Sequence, residues 1–111
     1  MTTQAEALDR LIAAVEAGKA TRTEIEEMAA AVFDLSVAAM NVGSAYAQDD
    51  LNAAKALHDA LLPGWEWFVG PSNAKVYPYN GNPGVSWSGM ADNPARAWLL
   101  AVLRAYRGTL V

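Results

Sequence analysis

Two boundaries in the second half of the chain restrict what it can fold into. The helix-patterned run Leu51–Leu62 meets Pro63-Gly64, a pair that cannot continue a helix. Further on, Asn93-Pro94 supplies a capping side chain and then a proline at the first helical position, where its missing N–H is no loss. Three short runs of β character lie between these boundaries. Trp65, Trp67 and Val69 alternate with Glu66 and Phe68, Lys75–Tyr79 follows with Pro78 favouring a sheet edge, and Gly84–Ser88 is the third. Gly70-Pro71-Ser72-Asn73 and Asn80-Gly81-Asn82-Pro83 between them are turn chemistry. The simplest chain path is helix, three-stranded antiparallel meander, helix. The expected fold class is therefore α+β, a small three-stranded antiparallel sheet packed with helices.

The helices can be placed from their caps and spacing. Asp49 or Asp50 caps the helix of about 50–62, on which Leu51, Ala53, Ala54, Leu57, Leu61 and Leu62 form a wide apolar arc. On the last helix Ala95, Trp98, Leu99, Val102, Leu103 and Tyr106 share a face, and Gly108 is the expected terminator. Two helices are expected before this unit. Thr3…Glu6 reads as a capping box for a helix of about 3–17 closed by Gly18. Thr21…Glu24 or Thr23…Glu26 opens another, about 21–42, with Asn41-Val42-Gly43-Ser44 ending it and 45–49 as connector. Ile25, Met28, Val32, Leu35 and Ala39 make one face of it, while Phe33, Val37 and Met40 fall elsewhere. A helix apolar all round must be buried, by the domain core or by a second chain. The whole of 1–111 reads as a single domain, with a helical part at 1–48 and a helix–strands–helix unit at 49–111.

Composition removes several function classes. With no cysteine there are no disulfides, thiolate nucleophiles or Cys-based metal sites, and a reducing location fits. No apolar run approaches the roughly 20 residues that span a bilayer, and the N-terminus lacks the basic start and apolar stretch of a signal peptide. A soluble protein of the cytoplasm is expected. Charge is unevenly distributed: residues 1–62 carry four Lys/Arg against ten Asp/Glu, and residues 63–111 carry four against two. An acidic half repels a nucleic-acid backbone, so direct nucleic-acid binding is not expected.

Catalytic candidates are few. His58, the only histidine, falls between Ala54 and Leu61, inside or at the edge of its helix's apolar arc. It is either a general base or a hydrogen-bonded packing residue, and no nucleophile stands at a telling spacing from it. Asp49, Asp50 and Asp59 lie near it without an HxxxH, HxxE or calcium-loop pattern. Ser44, Ser72, Ser86 and Ser88 lack an elbow motif, and Gly81 and Gly84 precede no helix that could hold a phosphate. Neither a metal nor a cofactor is expected.

Interaction chemistry is better represented. Trp65, Trp67, Trp87 and Trp98, with Tyr77, Tyr79 and Tyr106, concentrate in residues 65–106. Some of them fill the core. A sheet covered on one face leaves the others exposed, where Trp and Tyr anchor protein interfaces. Arg96, Arg104 and Arg107 lie on one flank of the last helix. They are solvated, meet an acidic partner, or meet the acidic first helices of the same chain.

The segment Leu51–Trp67 (LNAAKALHDALLPGWEW), paired with Asn93–Ala105 (NPARAWLLAVLRA), resembles the small phage ABA-sandwich proteins of phages and prophages, notably those of alphaproteobacteria. The resemblance covers about residues 50–107, with a looser echo in Leu8–Gly18; helix 21–42 has no counterpart in it. It implies α-β-α layers and a mobile-element origin, and it carries no established activity. The expected function is that of a non-enzymatic phage or prophage accessory protein that binds a host macromolecule. The specific version is inhibition of a host defence or nucleic-acid-handling complex, in the manner of anti-CRISPR proteins. The expected partner is a protein with a basic surface, met by Glu24, Glu26, Glu27, Asp34 and Asp49, together with Trp67, Tyr77, Tyr79 and Trp87. The alternative is a self-associating structural or scaffold protein, a homodimer through helix 21–42. A small enzyme using His58 with Tyr77 or Tyr79 comes third.

Overall fold

The computed structural model describes residues 3–33, 36–78 and 86–110. Its elements run α1 (Gln4–Ala17), α2 (Arg22–Val32), α3 (Ser36–Ala47), α4 (Leu51–Leu61), β1 (Glu66–Val69), β2 (Asn73–Tyr77), β3 (Trp87–Met90) and α5 (Pro94–Thr109). The chain is α+β, with a three-stranded antiparallel sheet in the order β1-β2-β3. Most boundaries follow from local chemistry. The Thr3 hydroxyl accepts the Glu6 N–H at the start of α1, and Gly18 closes that helix in the left-handed conformation at φ 69°. Thr21 and Glu24 form the reciprocal capping box of α2. Asp50 caps α4 through the Ala53 N–H, and Asn93 caps α5 through the Arg96 N–H.

The expected helix 21–42 is two helices. Phe33 leaves the α2 helix in an extended conformation (φ −108°, ψ 121°), and α3 begins at Ser36. No proline or glycine marks this break in the sequence. It resolves the problem of a helix apolar on all sides by dividing the faces. α2 buries Ile25, Ala29 and Val32, while α3 buries Ala38, Ala39, Val42, Ala45 and Tyr46. Phe33, between them, packs on Tyr106 with ring centroids 5.6 Å apart. Three helices therefore precede the 49–111 unit. The stretch 41–47, expected as a helix end and connector, is the body of α3. A Cβ on Gly43 would lie 2.5 Å from Glu26 Cγ, so this glycine allows α2 and α3 to close on each other.

The core is organised around α5. Every residue from Ala97 to Leu103 is buried, together with Ala95 and Ala105, so this helix has no solvent face over its central two turns. The sheet packs on one side of it, and α1, α3 and α4 pack on the others. α5 is therefore the middle layer, and the sheet lies outside the helices rather than between them. The inner sheet face carries Trp67, Val69, Ala74, Val76, Trp87 and Gly89, which are cross-strand neighbours by register. The outer face carries Glu66, Phe68, Asn73, Lys75, Tyr77, Ser88 and Met90. The third strand sits further along the chain than expected, and the expected residues 84 and 85 lie outside the described residues. α5 also runs past Gly108, its expected terminator, to Thr109. Gly108 instead lies against the Trp87 ring. No helix among the described residues is long and apolar enough to cross a membrane.

β3 comes close to the backbone of α5 at Gly89. A Cβ on Gly89 would lie 2.6 Å from Leu100 Cβ and 2.8 Å from the Ala101 nitrogen, with the Ala97 carbonyl closer still. These are backbone and Cβ atoms that cannot swing aside. Gly89→Ala is therefore expected to lower stability by about 2–3 kcal/mol, the upper part of the roughly 1–3 kcal/mol typical of overpacking a close-fitted core. Urea denaturation measures this, and a midpoint unchanged from wild type would contradict the packing.

Candidate functional site

His58 sits at the junction of α4, the sheet and α5, and it is completely buried. Its Nε2 lies 3.0 Å from the Trp65 carbonyl oxygen, and its Nδ1 accepts the Trp98 indole N–H at 3.3 Å. An indole N–H only donates, which fixes Nδ1 as the acceptor and Nε2–H as the donor to Trp65. The ring packs edge-on to Trp67 at 5.2 Å between centroids and tilted against Trp98 at 5.8 Å. Both ring nitrogens are thus engaged inside an aromatic box. This is the bonding of a packing histidine, with no edge presented to a substrate. Among the described residues no cluster of three His, Asp or Glu stands ready to hold a metal ion.

The box opens outward at Trp67, which stacks on Trp98 at 5.6 Å and is 41% exposed. The Lys55 ammonium lies 5.0 Å from its ring centroid and pairs with Asp59 at 2.8 Å. Beside it runs an apolar groove of about 450 Å³ lined by Leu51, Trp67, Val69, Pro71, Pro94 and Trp98. On the outer sheet face Phe68 is 57% exposed and Met90 75%. By cross-strand register Phe68 stands opposite Lys75, Lys75 opposite Ser88, and Glu66 opposite Tyr77. Phe68 and Met90 were not among the residues singled out from the sequence. The alternation of Phe68 with Trp67 and Val69, on the parity of Glu66, was the signal that placed it on the solvent side.

Of the residues expected to meet a partner, the acidic ones on α2 and the aromatic ones on the sheet lie apart. Glu24, Glu26 and Glu27 are on α2, which packs on α1 and α3 and stands two layers away from the sheet. Trp67, Tyr77 and Trp87 are on the sheet itself. Trp87 is half-buried, with its ring against Trp65 at 5.5 Å and against Gly108. Tyr77 is half-buried on the outer face. Asp34 and Tyr79 lie outside the described residues.

Most of the acidic groups serve the fold. Glu24 completes its capping box, and Glu26 pairs with Arg22 at 3.2 Å. Asp49, at φ 50°, turns its carboxylate onto the Ala95 N–H at 3.1 Å and so adds a second acceptor, a charged one, to the start of α5. Glu16 pairs with Arg104, and Asp9 with Arg107 at 2.9 Å. Of the three alternatives for the arginines, the chain thus uses its own first helix. Arg96 also turns inward, donating to the Tyr46 carbonyl at 2.8 Å and stacking 4.4 Å over the Tyr46 ring. Glu27 is exposed.

Set against protein families, curated proteins and solved structures, the chain has no match.

Two outcomes follow from this geometry. His58→Ala is expected to cost about 3–5 kcal/mol, since it opens a buried hole and leaves the Trp65 carbonyl and Trp98 indole without partners. Denaturant titration reads the loss directly; a cost below 1 kcal/mol would mean that the aromatic box does not depend on the imidazole. Arg104→Gln with Arg107→Gln is expected to cost about 1 kcal/mol in dilute buffer, because both ion pairs are partly exposed. Repeating the comparison in roughly 1 M salt should close most of that gap.

Proposed function

We propose that this chain is a non-catalytic binding protein whose open outer sheet face docks on another protein. The supporting observation is the exposure of Phe68 and Met90 on a sheet face that no helix covers among the described residues. Tyr77 contributes a half-buried ring to the same face. Phe68 and Met90 stand on the two edge strands with Lys75 between them on β2, and Lys75 and Glu66 supply one charge of each sign, so the face offers apolar side chains with near-neutral charge. The occupant that suits it is a folded protein with an apolar surface patch. The internal roles of Asp9, Glu16, Glu24, Glu26 and Asp49 support giving the acidic helices the smaller part in this contact. In its specific form, drawn from the phage ABA-sandwich resemblance, the protein is a phage or prophage accessory protein. It acts in the host cytoplasm on a defence or nucleic-acid-handling complex, as anti-CRISPR proteins do. The second reading, a self-associating scaffold protein, draws on Val37 and Met40, which are exposed on α3.

Affinity capture from host lysate, followed by titration of the captured partner, tests the binding reading. Met90→Asp is expected to weaken the complex at least about tenfold, the effect of putting a charge in place of the most exposed apolar side chain of the contact. Glu27→Gln, or a rise in salt, is expected to change affinity less than about threefold. The reverse pattern, a flat response to Met90→Asp with steep salt dependence, would move the interface to the acidic helices.

A further inference from the structure

The two edges of the sheet differ in a way that identifies a partner. Gly70 N–H donates to the Asn73 carbonyl and Ala91 N–H to the Ser72 carbonyl, which sets the phase of both ladders. By alternation Glu66 and Phe68 direct their backbone groups to β2, while Trp67 and Val69 direct theirs away from the sheet. On the far edge, β3 turns Ser88 and Met90 outward, and the Ser88 carbonyl is held by Arg104 at 2.8 Å. On the β1 edge the Trp65 carbonyl is taken by His58. Trp67 and Val69 have no such cover among the described residues. Their strand, Glu66-Trp67-Phe68-Val69, also exposes both Trp67 and Phe68, the combination that makes an edge adhesive.

We propose that a second copy of this chain pairs antiparallel with β1 about a two-fold axis at Phe68, joining two sheets into one of six strands. With the axis there, Trp67 of each copy stands opposite Val69 of the other, and all the outward N–H and C=O groups of these residues pair, in four backbone hydrogen bonds. The neighbouring symmetric registers are blocked. Shifting the axis to Trp67 sets Val69 against Trp65, whose carbonyl His58 already holds. Shifting it to Val69 sets Trp67 against Pro71, which has no N–H. In the permitted register the exposed Phe68 rings meet across the axis at the close spacing of a non-hydrogen-bonded pair. Glu66 stands opposite Gly70 rather than its own copy, so no like charges face each other. On the inner face Trp67 is set beside the partner copy's Val69, at the mouth of the groove that Leu51, Pro71, Pro94 and Trp98 complete. The isologous contact closes on itself and leaves both β3 edges outermost.

Sedimentation equilibrium and hydrogen exchange on the full chain test this. The wild type is expected to reach twice the monomer mass by roughly 0.5 mM, with the amides of Trp67 and Val69 gaining protection as concentration rises and those of Glu66 and Phe68 changing less. Phe68→Lys places two ammonium groups at the axis and is expected to raise the dissociation constant at least about 100-fold. The far-ultraviolet circular dichroism of this variant should match wild type, because the side chain it replaces is mostly exposed. Val37→Lys with Met40→Lys is expected to leave the dimer intact. A wild type that stays monomeric at that concentration, a dimer indifferent to Phe68→Lys, or one abolished by the α3 pair would overturn the proposal. So would unchanged exchange at Trp67 and Val69. Met90 lies on the opposite edge strand, so failure of the protein-docking reading and failure of this pairing are read from different variants.

Discussion

Burial of α5 on every side is the constraint from which the rest of the architecture follows. A helix that presents Ala97-Trp98-Leu99-Leu100-Ala101-Val102-Leu103 has no polar face to leave in water, so it must be enclosed. One small sheet cannot enclose a cylinder, and neither can one helix. The chain therefore places the three strands on one side and α1, α3 and α4 on the others. Small residues set how close these layers come. Gly89 lets β3 approach the α5 backbone at Ala97 and Ala101, while Ala95, Ala101 and Ala105 keep the helix narrow along its length. Its polar groups stand at the rim of the buried stretch, where Arg96, Arg104 and Arg107 each find an acceptor on a neighbouring element.

That arrangement gives the lopsided charge a structural meaning. The acidic excess of the first half and the basic excess of the second complement one another inside a single molecule. Glu16 and Asp9 on α1 meet Arg104 and Arg107 on α5, and Asp49 meets the start of α5. Exposed pairs of this kind add little stability each. Their larger effect is on which way round α1 lies along α5, since reversing it would bring Glu16 and Asp9 away from their arginines. An uneven charge distribution is thus as much a device for docking two halves of one chain as a sign of an outside partner.

What the sequence disclosed was mostly local. Thr3, Asn93 and Pro94 fixed helix starts, and the pairs Thr21 or Thr23 and Asp49 or Asp50 fixed two more to within two residues, because a cap is satisfied within three or four residues; the Trp65–Val69 alternation fixed a strand to within a residue. The break between α2 and α3 was hidden because no Gly or Pro causes it. Asp34 and Ser36, residue types that favour helix starts, stand in the sequence there, but the division answers a tertiary need: Val32, Phe33, Val42 and Tyr46 all have to face inward. Gly43 and Gly108 were read as terminators for the same reason. A glycine that permits close contact with Glu26 or Trp87 looks, in one dimension, the same as one that ends a helix. His58 could be narrowed to the inside or the edge of the arc. Its two hydrogen bonds depend on Trp65 and Trp98, and the second of these lies forty positions away.

The aromatic residues show how the layer order decides which side chains reach the surface. Had the sheet lain between two helical layers, both of its faces would be core, and Phe68 would be a packing residue like Trp98. With α5 in the middle the sheet becomes the outer layer, and period-two alternation sorts its residues into inside and outside. Trp87 and Trp65 then turn inward against each other, while Phe68, Tyr77 and Met90 are left on the open face. Trp67 belongs to both worlds. Its inner side stacks on Trp98 and meets the His58 ring edge-on, and its outer side reaches the edge of β1. The buried histidine therefore acts on the surface indirectly: by holding the Trp65 carbonyl and packing on Trp67, it ends the usable edge on one side as Pro71 ends it on the other. An edge bounded at both ends offers only Trp67 and Val69 to a partner, and a partner that can use both is selected by register before side-chain chemistry enters.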